Sequence, residues 1–394
     1  MSFQPPKLPQ VWTLTTDKAG DRGQIIALAA ALGWPAKERR LVFNPLYRKS
    51  NLLLGAGLKS LDVEASDPLD PPWPDLVIAS GRRSVPVARW IRRQSRGRTR
   101  LVHIGRPWAP SRWFDLIVTT AQYRLPAGPN VLTNALTLNR PDKTALAAAA
   151  DRWRARWAAL DRPLIAVLVG GNAKPLVFTE TAARELGERA TALAEALGGS
   201  LAVTTSRRSP DAAVDALFAS LPADSFRHRF GRDTDNPYLG LLALADQFIV
   251  TGDSASMLSE ACGSGQPVHL FPLPRRLTKK RKKTERWRRF CLGVDGRGRG
   301  PLAWLYHLLV HLNRIKAARD MSAFNRTLIE NGLVRLLDGS EGDLSTPPAT
   351  RRPPVDGLAL AVARVRALFP EADDGQAHAE HDLEVASEAM VRTS

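Results

Sequence analysis

Short apolar runs alternate along the chain with longer segments of helical periodicity. Runs rich in valine, leucine and isoleucine that are bounded by turn residues are typical of strands buried in a parallel sheet. In the first half, helices are predicted to begin near Asp21 and near Ser84. The predicted strands are residues 11–16, 40–43, 76–80, 100–105 and 115–120. The pattern therefore predicts α/β layers in which helices connect parallel strands.

The same pattern begins again after Pro163, which ends a charged helical segment at 144–160. The predicted strands of the second half are residues 164–170, 201–205, 226–230, 247–252 and 268–271. The helices predicted between them are residues 179–197, 210–221, 237–245 and 254–263. Two successive halves of this kind predict an α/β fold with two Rossmann-like domains that face a central cleft. Open parallel sheets bind ligands at the carboxyl ends of their strands, so we expect the chemistry in the loops that follow the strands.

The breaks in the pattern predict the domain boundaries. We expect an N-terminal α/β domain over residues 1–160 and a C-terminal α/β domain over residues 161–338, which closes with helices from residue 303. Residues 339–394 are predicted to contain a proline-rich link, one helix at 358–369 and an acidic, disordered tail.

The positive charge is concentrated in two places. The 394 residues carry a formal charge of +17, and residues 82–106 and 275–289 contribute +9 each, which leaves the rest at −1. Local basic patches indicate surfaces that face an anionic partner. For residues 82–106, solvated arginines and a binding surface are equal alternatives.

The second basic patch is predicted to contact an anionic membrane surface. Basic residues beside aromatic ones suit anionic headgroups, and this patch ends near Trp287 and Phe290. Nucleic acid is the less favoured partner, because no nucleic-acid-binding motif accompanies the patch. The residues predicted to make the contact are Arg275, Lys279, Lys280, Arg281, Lys282, Lys283 and Trp287.

Cysteine usage and the N-terminus bear on the compartment. Cys262 and Cys291 do not form a disulfide framework, and they lack a zinc-ligand spacing. The N-terminal residues MSFQPPKLPQ lack the apolar run of a signal peptide, and no stretch approaches the length of a spanning helix. We therefore expect a cytoplasmic protein that sits peripherally on the inner membrane, without a metal site.

The loop TDKAGDRGQ follows the first predicted strand. Asp17 or Asp21 can accept a proton from an attacking hydroxyl, and Gln24 can orient that hydroxyl. Lys18 projects from the same strand end. The alternative is that Asp21 only caps the next helix.

Two loops of the second half present groups that suit a phosphate. In VGGNAKPLVFT, Gly170 and Gly171 free backbone N–H groups for an anion and Lys174 adds charge, although a tight turn alone also explains the glycines. Arginine suits bidentate contact with phosphate, and a solvated loop is the alternative for TTSRRSP. That loop contributes Ser206, Arg207, Arg208 and Ser209.

The segment NPYLGLLALADQFIVTGDSASMLSEACGSGQP contains a strand followed by a capped helix. Asp253 or Ser254 caps this helix, and a diphosphate fits beside its first free amides near Ser256. At spacings of 3, 4 and 7, Asp253, Ser256, Met257 and Glu260 share one helical face. Glu260 can therefore accept hydrogen bonds from ribose hydroxyls. An ordinary capped helix explains the aspartate and the serines, but not Glu260 on their face.

In this order, the segments resemble a bacterial and plant family named after a mitochondrial fission factor from elongated-mitochondria mutants. The resemblance spans about residues 10–335 and is carried by TDKAGDRGQ, DLVIASGRRS, FDLIVTTAQY, GGNAKPLVFT, TTSRRSP and GDSASMLSEACGSGQPV. It implies a glycosyltransferase fold of the GT-B type, in which the second domain binds a nucleotide sugar, the first presents the acceptor and no catalytic metal is needed. The donor residues that it implies are Gly170, Gly171, Ser206, Arg207, Ser254, Ser256, Met257 and Glu260. On the acceptor side it implies Asp17, Lys18, Gly20 and Gln24.

The motifs and the resemblance together predict a glycosyltransferase. We expect it to move a sugar from a nucleotide-diphosphate donor to a membrane-associated acceptor of the lipid-linked or lipopolysaccharide type. No cofactor is expected, since the nucleotide sugar is a substrate. The alternative is a non-enzymatic membrane-surface adaptor on the same fold, related to the organelle-fission role of the plant members.

Overall fold

The computed structural model of the protein describes residues 8–277, 279–293, 300–311, 319–337 and 356–371. The strands of the first half are β1 (Val11–Thr15), β2 (Ala36–Arg40), β3 (Val42–Phe43), β4 (Leu61–Asp62), β5 (Leu76–Ser80), β6 (Arg100–Ile104), β7 (Leu116–Thr120) and β8 (Val131–Asn134). The helices that accompany them are α1 (Ala19–Leu32), α2 (Asn51–Leu54), α3 (Gly81–Gln94) and α4 (Lys143–Arg154).

The second half repeats the alternation of strand and helix. Its strands are β9 (Leu164–Leu168), β10 (Ser200–Thr204), β11 (Phe226–His228), β12 (Gln247–Thr251), β13 (Val268–Phe271) and β14 (Arg335–Leu336). The helices are α5 (Glu180–Leu197), α6 (Asp211–Ala219), α7 (Tyr238–Leu244), α8 (Ala255–Gly263), α9 (Lys279–Leu292), α10 (Pro301–His311), α11 (Met321–Glu330) and α12 (Gly357–Arg366).

The strands form two six-stranded parallel sheets. The first has the order β2-β1-β5-β6-β7-β8, with β3 and β4 as a separate antiparallel pair. The second has the order β11-β10-β9-β12-β13-β14, which is the 3-2-1-4-5-6 arrangement of dinucleotide-binding folds. The predicted α/β architecture with two parallel sheets is therefore confirmed. Sequence reasoning missed β2, β4, β8 and β14, whose residues AKERR, LD, VLTN and RL form no long apolar run. The strand predicted at 40–43 is β3, which pairs with β4 and not with the sheet.

Helices cover both faces of the first sheet. On one face, Ile25 and Leu28 of α1 pack with Ala361 and Val365 of α12, and all four are buried. The last described helix therefore returns to the first half, after the chain has built the second. On the other face, α3 contributes Ile91 and its neighbours to a second buried cluster.

Helix α4 packs against the second sheet, although the sequence placed it within residues 1–160. The rings of Trp153 and Trp157 stack with centroids 4.9 Å apart, and both rings are buried in the core of the second half. Gly240 of α7 lies against Trp153 so closely that a Cβ atom there would be 2.5 Å from the indole. By its packing, this helix belongs with the C-terminal half.

Some predictions fall on parts of the chain that are not described. Most of the link predicted at 339–357 and of the tail after Pro370 lies outside the described residues. Within the described ranges, no helix combines the length and apolar character needed to cross a membrane.

We predict that Trp153→Ala lowers the free energy of unfolding by about 3–5 kcal/mol, because it removes a buried indole and leaves a cavity between α4 and α7. Chemical denaturation followed by circular dichroism measures this change. Leu53→Ala is the control, since Leu53 is 75% exposed and its truncation should change stability by less than about 0.5 kcal/mol. Equal effects of the two substitutions would contradict the packing assignment of α4.

Candidate functional site

Each parallel sheet has one point where the strand order changes direction. In the second sheet this switch point lies between β9 and β12, and in the first sheet between β1 and β5. Such a point leaves a crevice outside the carboxyl ends of the strands, where ligands bind. Gly170 and Asp253 follow the two strands of the second switch point, and Asp21 and Gly81 follow those of the first. Both crevices therefore place an acidic residue beside a glycine turn.

A buried ion pair occupies the second switch point. The Asp253 side chain is completely buried, and the guanidinium Nη1 of Arg208 lies 2.7 Å from its Oδ2. Thr251 donates its hydroxyl to Asp253 Oδ1 at 2.7 Å and accepts the Gly170 N–H at 2.8 Å. Burial raises the pKa of Asp253, and Arg208 opposes that shift. Asp253 therefore holds Arg208 at the carboxyl end of the sheet.

The adjacent glycines are required by close packing. A Cβ atom on Gly170 would lie 2.5 Å from the Asp253 carboxylate. Gly171 has φ +100°, and a Cβ there would lie 2.4 Å from the backbone oxygen of Arg208. Ser206 donates its hydroxyl to the Gly170 carbonyl. The three loops after β9, β10 and β12 are therefore in direct contact. This arrangement is the one expected if the loops contribute to a common site.

Helix α8 begins at this same point. Ser254 is its N-cap residue, yet the Ser254 side chain makes no capping hydrogen bond to the helix amides. The hydroxyls of Ser254 and Ser256 lie 3.4 Å apart. The first amides of a helix need partners, and a helix N-terminus favours anions. The start of α8 thus offers N–H groups and hydroxyls beside Arg208.

Glu260 lies further along α8 in a polar contact. Tyr238 of α7 donates its hydroxyl to Glu260 Oε2. Burial raises the pKa of Glu260, and the Tyr238 hydrogen bond opposes the shift. Burial beside this carboxylate raises the pKa of Tyr238 well above its usual value, so its hydroxyl stays a donor. Met257 on the same helix packs partly into the hydrophobic core.

Two predicted donor residues stand apart from this cluster. Lys174 and Arg207 are exposed, and neither forms an ion pair with another described residue. Arg208, the next residue along the chain, makes the contact at the switch point. Sequence reasoning singled out Arg207, since two consecutive arginines give no signal for which of them turns inward.

At the first switch point, Asp21 is the acid that faces the crevice. Its side chain is 15% exposed, and Lys18 Nζ lies 3.8 Å from its Oδ2. The same oxygen is 3.5 Å from the position of a Cβ atom on Gly81, which has φ +75°. Asp17 and Gly20 are exposed in the loop before it. Of the two predicted candidate bases, Asp21 is therefore the one held at the strand ends.

A buried histidine beneath this loop was not predicted. His103 lies 3.2 Å from the Gly81 carbonyl through Nε2 and 3.3 Å from the Gly105 carbonyl through Nδ1. Burial lowers the pKa of His103 to about 4, although Asp21 opposes the shift. A neutral imidazole carries one N–H, so it can donate to only one of these two carbonyls, and which one depends on the tautomer. The only sequence signal was a histidine inside an apolar strand.

Gln24 hydrogen-bonds to backbone groups on both sides of the first crevice. Its amide Nε2 donates to the Gly20 carbonyl at 3.3 Å, and its Oε1 accepts the Leu138 N–H at 3.3 Å. Asn139 also donates to Gly20, at 3.4 Å. These contacts tie α1 to the segment between the halves and use one of the two amide N–H groups of Gln24, so its predicted role in orienting a hydroxyl stays a prediction.

The carboxyl ends of the two sheets face each other across α11. Asp320 pairs with Arg124, which follows β7, and the Asp320 N–H donates to the Gln122 carbonyl at 2.8 Å. Asn325, one turn along α11, donates to the Gly252 carbonyl after β12 at 2.9 Å. One helix therefore contacts both sheet edges and bounds the space between them.

The basic segment forms helix α9, which packs against α10. The ring centroids of Trp287 and Tyr306 are 5.6 Å apart, so Trp287 lies between the helices, whereas it was predicted to face a membrane. Lys282 and Lys283 are exposed, as is Arg275 before the helix. The side chains predicted at 279–281 lie outside the described residues.

Two parallel sheets with polar switch points define an α/β protein of the Rossmann-like class. Within that class, the chain belongs to the mitochondrial fission ELM1 family, whose model matches residues 19–290. The family predicted from the sequence is confirmed.

Individual relatives share about a quarter of their residues with this chain. It is 28% identical over 336 residues to mitochondrial fission protein ELM1 of Arabidopsis thaliana. The aligned region covers 80% of this chain and 68% of that relative. It is also 28% identical to uncharacterized protein RP120 of Rickettsia prowazekii, over 67% of this chain and 83% of that one. A UDP-GlcNAc 2-epimerase from Methanocaldococcus jannaschii has a similar structure, with 10% identity, coverage of 91% and 99%, and a TM-score of 0.43.

We predict that Gly170→Ala destabilises the protein by about 1–3 kcal/mol, because the added Cβ meets the buried Asp253 carboxylate. Gly20→Ala is the matched control: a Cβ at Gly20 meets nothing within 4 Å, and alanine favours the helix that begins there. Thermal unfolding of both variants measures the difference. A Gly170→Ala variant as stable as Gly20→Ala would show that the loops do not interlock.

We predict that His103 makes stability pH-dependent. Its pKa is about 4 in the folded protein and about 6.5 when unfolded, so the unfolded state binds more protons between these values. Stability is then lost as the pH falls below about 6.5, by about 1 kcal/mol per pH unit between pH 6 and 5 from this group. His103→Gln should remove that part of the slope in denaturation curves, and an unchanged slope would count against a buried neutral imidazole.

Proposed function

We propose that the protein is a glycosyltransferase that binds a nucleoside-diphosphate sugar at the second switch point. The observation that carries this proposal is the uncapped start of α8 at that point, with Arg208 beside it. Amides at a helix N-terminus and a guanidinium are the groups that bind phosphates in other nucleotide folds. The 3-2-1-4-5-6 strand order supports the same location.

Arg208 and the start of α8 would receive the diphosphate. Because Asp253 already neutralises Arg208, the guanidinium donors that face away from Asp253 bind phosphate oxygens without leaving a buried positive charge when the site is empty. Ser254 and Ser256 add hydroxyl donors. In the reaction, these groups would stabilise the negative charge that develops on the departing nucleoside diphosphate.

Glu260 would bind the ribose. Tyr238 occupies its Oε2, which leaves Oε1 to accept from a sugar hydroxyl. A carboxylate that accepts from ribose hydroxyls is common in nucleotide-binding folds. Glu260 lies about one and a half turns from Ser254 along α8, about 9 Å at 1.5 Å per residue, a span that a diphosphate and a ribose can bridge.

Asp21 would act as the general base at the first switch point. It would take the proton of the acceptor hydroxyl as that oxygen forms a bond to the anomeric carbon, while the bond from that carbon to the diphosphate breaks. Its largely buried carboxylate beside the Gly81 turn supports this role. Lys18, 3.8 Å away, would keep the carboxylate oriented.

The acceptor would be carried on a membrane, as a lipid-linked or lipopolysaccharide-type glycan. The exposed cations Arg275, Lys282 and Lys283 support contact with anionic headgroups. A cytoplasmic enzyme at the membrane surface would meet such an acceptor without crossing the bilayer. The alternative, a membrane-surface adaptor without turnover, is favoured by the fission name of the Arabidopsis relative.

Titration calorimetry with UDP, GDP, ADP and CMP tests the donor proposal. We expect one nucleotide to bind, and Glu260→Gln to weaken it at least tenfold while leaving inorganic pyrophosphate unaffected, because only the ribose contact is lost. The double variant Arg208→Gln/Asp253→Asn should weaken both ligands 10- to 100-fold without leaving an unpaired buried charge.

Arg184→Gln is the matched control for this experiment. Arg184 is an exposed arginine of the second half, on α5, and among the described residues its ion-pair partner is Glu180 on the same helix. Its substitution should leave both affinities unchanged. Folded protein that binds none of the four nucleotides would overturn the enzyme proposal and favour the adaptor.

A further inference from the structure

Helix α10 is rich in large apolar residues and carries no side chain of the lysine, arginine, aspartate or glutamate type. Its sequence, over residues 301–311, is PLAWLYHLLVH. A helix of this composition is normally surrounded by protein or by lipid. The two sides of α10 must therefore be explained separately.

One side of α10 is packed in protein. Ala303, Tyr306 and Val310 are buried together with Cys291 and Leu292 of α9. Trp108, in the loop after β6 of the first half, packs against the same cluster. This side accounts for three of the apolar residues of α10 and anchors the helix pair to the first half.

The other side of α10 is exposed. Trp304 is 66% exposed, and Leu302 and Leu305 are 48% and 38% exposed. On the neighbouring helix α9, Phe290 is 72% exposed. We call Phe290, Leu302, Trp304 and Leu305 the apolar ridge. Single exposed apolar residues are ordinary on protein surfaces, but four large ones on one helix pair indicate a contact surface.

The ridge lies beside a face of α9 whose charge is mainly positive. At helical spacing, Lys282, Lys283, Arg286 and Arg289 share one face with Phe290, and all five are exposed. Glu285, the one acid of the helix, pairs with Arg288 at 2.6 Å and lies 3.6 Å from Arg289, at the edge of this face, so the positive charges outnumber it there. A second copy of this chain would bring the same four cations against them, so self-association through this face is electrostatically opposed.

We propose that α9 and α10 form an interfacial element that inserts the apolar ridge into an anionic bilayer. This inference rests on the membrane part of the proposed function and adds to it a hydrophobic contact and a position. Cations at the headgroups beside Trp and Leu side chains at the acyl boundary are the combination that holds amphipathic helices in the interface plane. At 1.5 Å per residue, the eleven residues of α10 span about 16 Å, which is too short to cross a bilayer of about 30 Å.

The element also fixes where the membrane lies relative to the site. Trp108 contacts the helix pair from the carboxyl edge of the first sheet, the same edge that carries Asp21 and Gly81. The bilayer surface is therefore at the acceptor side of the crevice. A sugar acceptor whose lipid tail stays in the membrane would reach Asp21 by extending its polar head only.

Co-sedimentation of the full chain with vesicles tests the proposal. The vesicles contain phosphatidylglycerol and phosphatidylcholine, or phosphatidylcholine alone. We expect Trp304→Ser/Leu305→Ser to weaken partitioning into phosphatidylglycerol vesicles about tenfold or more at both low and high salt, because apolar insertion is not screened. Replacing Lys282, Lys283, Arg286 and Arg289 by glutamine should weaken binding mainly at low salt.

Matched controls separate insertion from general hydrophobicity and from misfolding. Phe230→Ser and Leu53→Ser remove apolar side chains that are 45% and 75% exposed elsewhere, and they should leave partitioning unchanged. Brominated lipid should quench part of the tryptophan fluorescence of the native protein. The variant Trp304→Phe conserves an apolar ring, so it should still bind vesicles, but this quenching should disappear.

Partitioning that is unchanged in the ridge variant, or quenching that survives Trp304→Phe, would overturn insertion. A native dimer in sedimentation that the ridge variant converts to monomer would also overturn it, in favour of a second copy as the occupant. Nucleotide calorimetry on the ridge variant distinguishes this proposal from the proposed function. A variant that loses vesicle binding but still binds nucleotide shows that the ridge serves the membrane contact and not the nucleotide site.

Discussion

The buried carboxylate of Asp253 sets the arrangement of the second switch point. A charge that is removed from water needs a partner and hydrogen bonds, since breaking such a pair costs about 3–5 kcal/mol. Arg208 supplies the charge and Thr251 the hydroxyl. The position of Arg208 in turn brings its backbone against Gly171, where only a glycine fits. Three loops that are far apart in sequence are thereby held at one edge of the sheet.

The first switch point meets the same topological demand without a buried ion pair. There, neutral His103 lies between the carbonyls of Gly81 and Gly105 beneath the crevice and donates to one of them, while Asp21 stays partly exposed above it. The two crevices are therefore chemically unlike: one presents an arginine and helix amides, and the other presents a carboxylate. This difference supports an anionic ligand at the second switch point and a proton acceptor at the first.

Sequence reasoning was most successful where one physical signal dominates. The buried strands β5, β9 and β12 are continuous apolar runs, and α5 and α8 start at recognisable caps, so these elements were predicted within one or two residues. The edge strands β2, β8 and β14 lack that signal because pairing with a neighbour, and not burial, defines them.

Side-chain direction and long-range packing were less predictable. Neither periodicity nor composition distinguishes Arg207 from Arg208, because the choice depends on how the loop turns toward Asp253. The assignment of α4 to the first half was also wrong with respect to packing. Trp153 of this helix contacts Phe226 and Gly240, which lie about 70 to 90 residues later in the chain. Gln24 is similar, since its backbone partner at Leu138 is contributed by the segment between the halves.

The helix pair α9–α10 joins the two chemically different crevices. Before α9, Arg276 donates its N–H to the Pro175 carbonyl at 2.8 Å, in the loop that continues from the paired glycines of the second half. Within the pair, Tyr306 lies in the cluster that Trp108 of the first half completes. The chain thus crosses from the loop beside the proposed donor site to the edge of the proposed acceptor site. A surface that binds a membrane through this pair would be tied to both halves at once. From composition alone the basic segment was a charged stretch between strands and helices, whereas in the fold it contacts both halves.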